Sequence, residues 1–172
     1  MLRKGLVLAA LCLLPAAAAS AQVRGPWEVT LSGTAANGSR FNGFEAGANG
    51  SIGYFFGDSI EVSVRQSVNY DDIGTPVQLS ASTRLAADFH LPLGDQNQFL
   101  PFAGANIGYD YGKGIRDTWE AAPEIGIKWF VGPDVFILAE VEYQFFFRNG
   151  GGVNNGFKNG QFVYTLGVGF RF

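Results

Sequence analysis

From about residue 26 onward, apolar and polar side chains alternate with a period of two, in runs of about ten to thirteen residues separated by turn residues. That period places successive side chains on opposite faces of a β-strand. It predicts eight strands near residues 26–36, 43–56, 59–70, 77–91, 99–111, 119–131, 135–147 and 161–172. In the last run Phe162, Tyr164, Leu166, Val168, Phe170 and Phe172 share one face, against Gln161, Thr165, Gly167, Gly169 and Arg171. The seventh sets Val135, Ile137, Ala139, Val141, Tyr143, Phe145 and Phe147 against Glu140, Glu142 and Gln144. The third sets Ile60, Val62, Val64, Val68 and Tyr70 against Glu61, Ser63, Arg65, Ser67 and Asn69, and the remaining runs behave alike. No Asp, Glu, Lys or Arg falls on the apolar parity of any of these eight runs. A charge at bilayer mid-depth costs about 2–4 kcal/mol, so a lipid-facing surface requires that exclusion.

Strand length points the same way, because a tilted strand crosses the hydrocarbon in about 9–11 residues. The connections sort into two classes. Gly57-Asp58, Pro92 to Gln98 and Gly132 to Asp134 are turns at one end; Asn37 to Asn42, Asp71 to Pro76, Gly112 to Thr118 and Arg148 to Gly160 are loops at the other. An even strand count with short turns on one side and longer loops on the other predicts an all-β fold. The expected architecture is an eight-stranded antiparallel up-and-down transmembrane β-barrel, with its short turns and both chain ends periplasmic. Pro101 and Pro123 fall inside predicted strands, where each removes a ladder donor, and they predict local bulges or displaced strand starts.

Alternation alone also fits a soluble barrel turned the other way, and the composition of the polar face decides against it. That face is crowded with small residues, among them Gly53, Ser63, Ser67, Gly104, Gly108, Gly126, Gly167 and Gly169, and Lys128 is the one lysine within the predicted strands. Small residues around a few long charged ones suit an eight-stranded interior, which is only just wide enough for side chains. Aromatic residues gather near the strand ends, at Trp27, Tyr54, Phe56, Phe89, Phe99, Tyr109, Trp119 and Trp129, as interfacial girdles do.

The first residues predict an export signal. Arg3 and Lys4 precede an apolar stretch from Gly5 to Leu14, and Ala19-Ser20-Ala21 offers a cleavage site before Gln22, so residues 1–21 are expected to be removed and 22–172 to form the barrel domain. A lipoprotein signal at Cys12 is disfavoured, because Leu11 stands where a small residue is needed. Cys12 is the only cysteine, so the expected mature chain carries no disulfide and no thiolate metal site. It would hold ten basic against fifteen acidic residues, which does not support a nucleic-acid footprint. Past the signal no apolar run approaches the roughly 18 residues of a helical span.

The ending Thr165-Leu166-Gly167-Val168-Gly169-Phe170-Arg171-Phe172 resembles the C-terminal assembly signal of bacterial outer-membrane proteins, carried here by Thr165, Gly167, Phe170 and Phe172. Over residues 22–172 the chain resembles, in architecture, the small eight-stranded family that includes OmpX and the barrel part of OmpA. The resemblance implies residence in the bacterial outer membrane, outer-membrane lipids as surroundings and recognition of the last strand by the barrel-assembly machinery. A monomer without cofactor is expected. Unlike OmpA, the chain is expected to carry no peptidoglycan-binding domain after the barrel.

The inward parity carries Glu28, Glu45, Glu61, Arg65, Arg84, Asp88, His90, Asp110, Glu120, Glu124, Lys128, Glu140, Glu142 and Arg171. Buried charges must be paired or wet. Arg65 and Arg84 on neighbouring strands are expected to be answered across the lumen by Glu124, Glu140 or Glu142, and Arg171 to pair with Glu28 across the closing seam. This network reads as a plug that fills the core; its acidic excess also admits a narrow cation-preferring pore. Catalysis needs a nucleophile with a base beside it. His90, the only histidine, falls at the turn end of the fourth strand, away from the outer rim where barrel enzymes that act on lipid A place theirs, so no enzyme is expected. Binding through the outer loops, such as the Gly/Asn-rich stretch from Arg148 to Gly160, is a further class. The reading favoured is a structural, envelope-maintenance barrel.

Overall fold

A computed structural model describes residues 24–38, 45–71, 78–94, 97–113, 117–147 and 160–172. The expected export signal and much of the four longer loops lie outside them. The described residues form β1 (Trp27–Gly38), β2 (Glu45–Phe56), β3 (Ile60–Asp71), β4 (Gln78–His90), β5 (Phe99–Lys113), β6 (Thr118–Phe130), β7 (Val135–Phe147) and β8 (Gln161–Arg171). Each strand pairs antiparallel with its sequence neighbours, and β1 pairs with β8 to close the barrel. At the seam, Trp27 N–H donates to the Phe172 carbonyl at 3.0 Å and Phe172 N–H returns a bond to Trp27 at 2.8 Å.

The register fixes the shape. Stepping across Cα partners from Phe56 to Ile60, Phe89, Ala103, Ile125, Val141, Tyr164 and Ala35 returns to β2 at Ala46, ten residues from the start. A stagger of that size over eight strands tilts them by about 40° and sets a backbone radius of about 8 Å, which side chains can fill.

The period-two pattern sorts as lipid outside and charge inside. Leu31, Ile125 and Leu166 remain 66%, 65% and 67% exposed on the outer wall, whereas Glu28, Arg65, Arg84, Glu124 and Lys128 are buried within. Aromatic pairs band the strand ends, with Trp27 against Tyr54, Phe99 stacked on Trp129, and Tyr109 edge-on to Trp119. Gln66 and Thr83 are the polar residues on the described outer wall between those bands, and a cyclic arrangement satisfies them. The Thr83 hydroxyl donates to Gln66 Oε1 at 2.7 Å, and Gln66 Nε2 donates to Tyr111 Oη at 3.1 Å. Tyr111 closes the ring by donating to Thr83 Oγ1 at 3.2 Å. Each member gives one bond and takes one, which offsets the cost of a polar group facing hydrocarbon.

The prolines correct one expectation. Neither makes a bulge nor moves a strand start. Pro101 pairs with Ile127 inside β5, and its carbonyl accepts from Leu91 N–H beyond the end of β4, so its missing donor faces a chain already leaving the sheet. At Pro123 the β6–β7 ladder skips Ala122 and Pro123, then resumes at Glu124↔Glu142 in the register of Ala121↔Phe145. The sheet tolerates an interrupted ladder there without inserting a residue.

Inward glycines make room for the long side chains of neighbouring strands. A Cβ on Gly53 would lie 2.0 Å from Glu61 Oε1, one on Gly108 2.4 Å from Arg84 Cγ, and one on Gly126 2.5 Å from Phe102 Cζ and 2.7 Å from the Ala139 carbonyl oxygen. On the outer wall a Cβ on Gly50 meets nothing within 4 Å. Gly126→Ala is therefore expected to destabilise the barrel by about 1–3 kcal/mol through overpacking, and Gly50→Ala to be neutral or stabilising. Urea titration of both variants folded into lipid vesicles checks the contrast.

Candidate functional site in the barrel lumen

The lumen is filled in layers, outward from the end that carries the short turns together with Arg24 and Phe172. At that end the inward parity is apolar: Leu100, Phe102, Phe130, Phe136 and Leu138 form a buried cluster, with Phe55 beside it. Two arginines cover it. The Arg24 guanidinium lies 3.5 Å from the Phe130 ring centroid and donates to the carbonyls of Pro133 and Asn97, lacing two turns to the start of β1. Burial and the nearby Arg171 lower its pKa from the ordinary arginine value.

Arg171 lies 3.6 Å from the Phe55 ring centroid and donates to the Gly25 carbonyl at 3.0 Å. This corrects the expected seam ion pair. Glu28 and Arg171 are Cα partners, but the nearer cation takes the carboxylate: Lys128 Nζ sits 2.5 Å from Glu28 Oε1 and 2.6 Å from Glu61 Oε2. Lys128 also lies within 6 Å of the Phe55, Phe102 and Phe136 ring centroids, so its charge meets two carboxylates and three π-faces. His90 is fully buried between Phe55 and Phe102, with Nε2 3.4 Å from Glu61 Oε2. Among the described residues no hydroxyl or thiol nucleophile is recorded in hydrogen-bond contact with this imidazole.

Above this layer a void of about 20 Å³, room for roughly one water, is bordered by Glu28, Glu61, Arg65, Lys128 and Glu140. Arg65 then gathers three acids: Asp88 Oδ2 at 3.0 Å, Glu124 Oε1 at 2.7 Å and Glu140 Oε1 at 3.2 Å. Arg84 pairs with Glu142, lies 3.7 Å from Glu120 and donates to Ser67 Oγ at 2.9 Å. Asn106 Nδ2 bridges the two groups, 2.5 Å from Glu124 and 2.6 Å from Glu142. Further out, the inward positions are mostly smaller polar residues, among them Ser32, Asn49, Ser82, Thr118 and Thr165, with the half-buried Asp110 in register between Ser82 and Thr118.

The structure thus brings Arg65, Glu124 and Glu140 together, and Arg84 with Glu142, while Glu28 and Lys128 sit in a separate layer below. On β8, Thr165 and Gly167 face inward, and Phe170 and Phe172 face out at the turn end. The aromatic cluster was missed in the sequence, although its signal was there: Phe55, Phe102, Phe130 and Phe136 are large apolar residues on the polar parity, all within a few positions of a short turn.

A closed antiparallel sheet with a lipid-compatible wall and a charged interior is matched by a family model. The model for the outer membrane protein beta-barrel domain matches residues 6–172. The chain belongs to that family. Its fold is similar to the N-terminal barrel domain of Pseudomonas aeruginosa OprF, with TM-score 0.61 and 21% identity over 84% of this chain and 97% of that one. It is equally similar to Neisserial surface protein A, at 0.61 and 17% identity over 88% and 100%, and close to Pseudomonas aeruginosa OprG, at 0.59 and 14% over 87% and 97%. No curated protein matches it by sequence. The family is one of outer-membrane barrels rather than of enzymes.

Removing one partner from a buried ion cluster leaves uncompensated charge in a low-dielectric site, which costs about 3–5 kcal/mol. Arg65→Met, which keeps most of the bulk, is expected to destabilise the folded barrel by that amount, measured by urea unfolding in vesicles.

Proposed function

We propose that this outer-membrane barrel is a structural, non-conducting component of the envelope, exported through a cleaved signal at residues 1–21 and inserted through recognition of Thr165, Gly167, Phe170 and Phe172 by the assembly machinery. The observation that carries this reading is the stacking of three unlike seals in one lumen. An aromatic cluster roofed by Arg24 and Arg171 is followed by the Lys128 carboxylate layer and then by the Arg65 and Arg84 clusters. An ion moving through would have to displace apolar rings and break buried ion pairs that side chains alone hold together. A sealed interior supports a role played by the outer surface and the wall, in which a monomer contributes stability and spacing to the membrane.

The discriminating experiment is planar-bilayer recording of purified, refolded protein. The expected result is an absence of stable unitary openings over the voltage range the bilayer tolerates. Reproducible cation-selective steps would favour the narrow-pore alternative, which the acidic excess of the lumen makes the natural competitor.

A further inference from the structure

Between the Lys128 layer and the Arg65 cluster, the void of about 20 Å³ has mostly polar walls, among them Glu28 and Thr30 of β1, Ser51 of β2 and Ser63 of β3. One of these wall groups lacks a donor. Glu28 is 2% exposed, and while its Oε1 takes Lys128 Nζ, its Oε2 has no hydrogen-bond partner. A buried carboxylate oxygen left in that state is costly. Cα partners run from Glu28 through Gly53 to Ser63, so the position between the carboxylate and the hydroxyl carries no side chain of its own. Ser63 Oγ accepts from Arg65 Nε at 3.3 Å, and its O–H can donate onward. The other N–H groups of Arg65 go to Asp88, Glu124 and Glu140, so none of them is left for Glu28.

Whatever satisfies Glu28 Oε2 from this void has to be small, has to donate and has to be neutral. The volume has room for about one water. Charge around Glu28 is already even, with Glu28 and Glu61 set against Lys128 and against Arg171, the Cα partner of Glu28. We propose that the void binds one water molecule, which donates to Glu28 Oε2 and accepts from the Ser63 hydroxyl. Its second proton has the hydroxyls of Thr30 and Ser51 on the same wall, which brings it to the three or so bonds usual for a buried water. Arg65 Nε, Ser63 Oγ, the water and Glu28 Oε2 then form one line of donors and acceptors. The Lys128 layer and the Arg65 cluster become a single network across β1 to β3, and the water is a fixed part of the packed lumen.

The test counts long-lived waters in the mature barrel, refolded in detergent micelles, by oxygen-17 relaxation dispersion, which does not see hydroxyl protons. Ser51→Val puts a methyl group into the void, and the wild type is expected to hold one long-lived water more than this variant. Loss of the donor to Glu28 is also expected to lower the urea midpoint of Ser51→Val; a higher midpoint would mark the void as dry and overturn the site. Equal water counts in the wild type and the folded variant would overturn it as well. Folding is read from heat-modifiable gel mobility; should Ser51→Val fail to fold, Ser63→Ala, which removes the donor to the water, carries the same comparison. In a crystal structure of the wild type, one ordered water is expected within about 3.2 Å of both Glu28 Oε2 and Ser63 Oγ. A dry void there, or a peak that turns anomalous when sodium salts are exchanged for rubidium, would overturn the water in favour of an empty cavity or a bound cation.

Discussion

Hydrocarbon offers no hydrogen bond to an exposed backbone N–H or C=O, and each one left open there costs several kcal/mol. A sheet in that solvent has to close on itself, and the pairing of β1 with β8 from Glu28↔Arg171 to Gly38↔Gln161 is how this chain does so. Closure has consequences that reach every residue. With side chains alternating along each strand, half of them are committed to lipid and half to an enclosed space of about 8 Å backbone radius, set by eight strands and a stagger of ten residues. The outer half has no choice but to be apolar, and the few polar members, Gln66 and Thr83, are tolerated because they satisfy one another through Tyr111.

The inner half is where the chain has freedom, and it spends that freedom on ion pairs rather than on a uniform hydrophobic core. Long charged side chains fit only because glycines at 53, 104 and 108 clear the space beside Glu61, Asp88 and Arg84. Near the turns the solution changes to aromatic packing, with Phe136 fitting where a Cβ on Gly169 would meet its ring at 2.1 Å. Buried ion pairs are a costly way to fill a core compared with apolar packing. Here they span most of the lumen height and are satisfied by side chains of other strands, which is what supports the sealed-barrel reading.

Much of the architecture was legible in the residues. Strand periodicity put the seventh strand at 135–147, where it is found, and placed the other strand limits within about two residues of theirs. The identity of the lipid-facing wall followed from the exclusion of charge from one parity. Partnerships across the lumen were less legible, because they depend on the stagger, a property of the closed sheet rather than of any one strand. Arg171 and Glu28 are neighbours in register, yet Lys128 from the far side of the barrel captures Glu28, since the tilt brings its long side chain to the same depth. Pro123 looked like a bulge because a missing donor is awkward in a closed sheet; the ladder instead leaves two positions unpaired and keeps its register.

The central claim is the orientation of the sheet, apolar parity to lipid and charged parity within, and a cysteine scan along β3 tests it most directly. Cys12 is the only cysteine of the chain and lies in the segment predicted to be removed, so single cysteines at Val62, Ser63, Val64, Ser67 and Val68 can be spin-labelled without background. In vesicles, labels at positions 62, 64 and 68 should collide with oxygen dissolved in the bilayer and be shielded from a water-soluble relaxant. Labels at 63 and 67 should be immobile and shielded from the lipid. Loss of the two-residue alternation, or contact of positions 63 and 67 with lipid, would contradict the account.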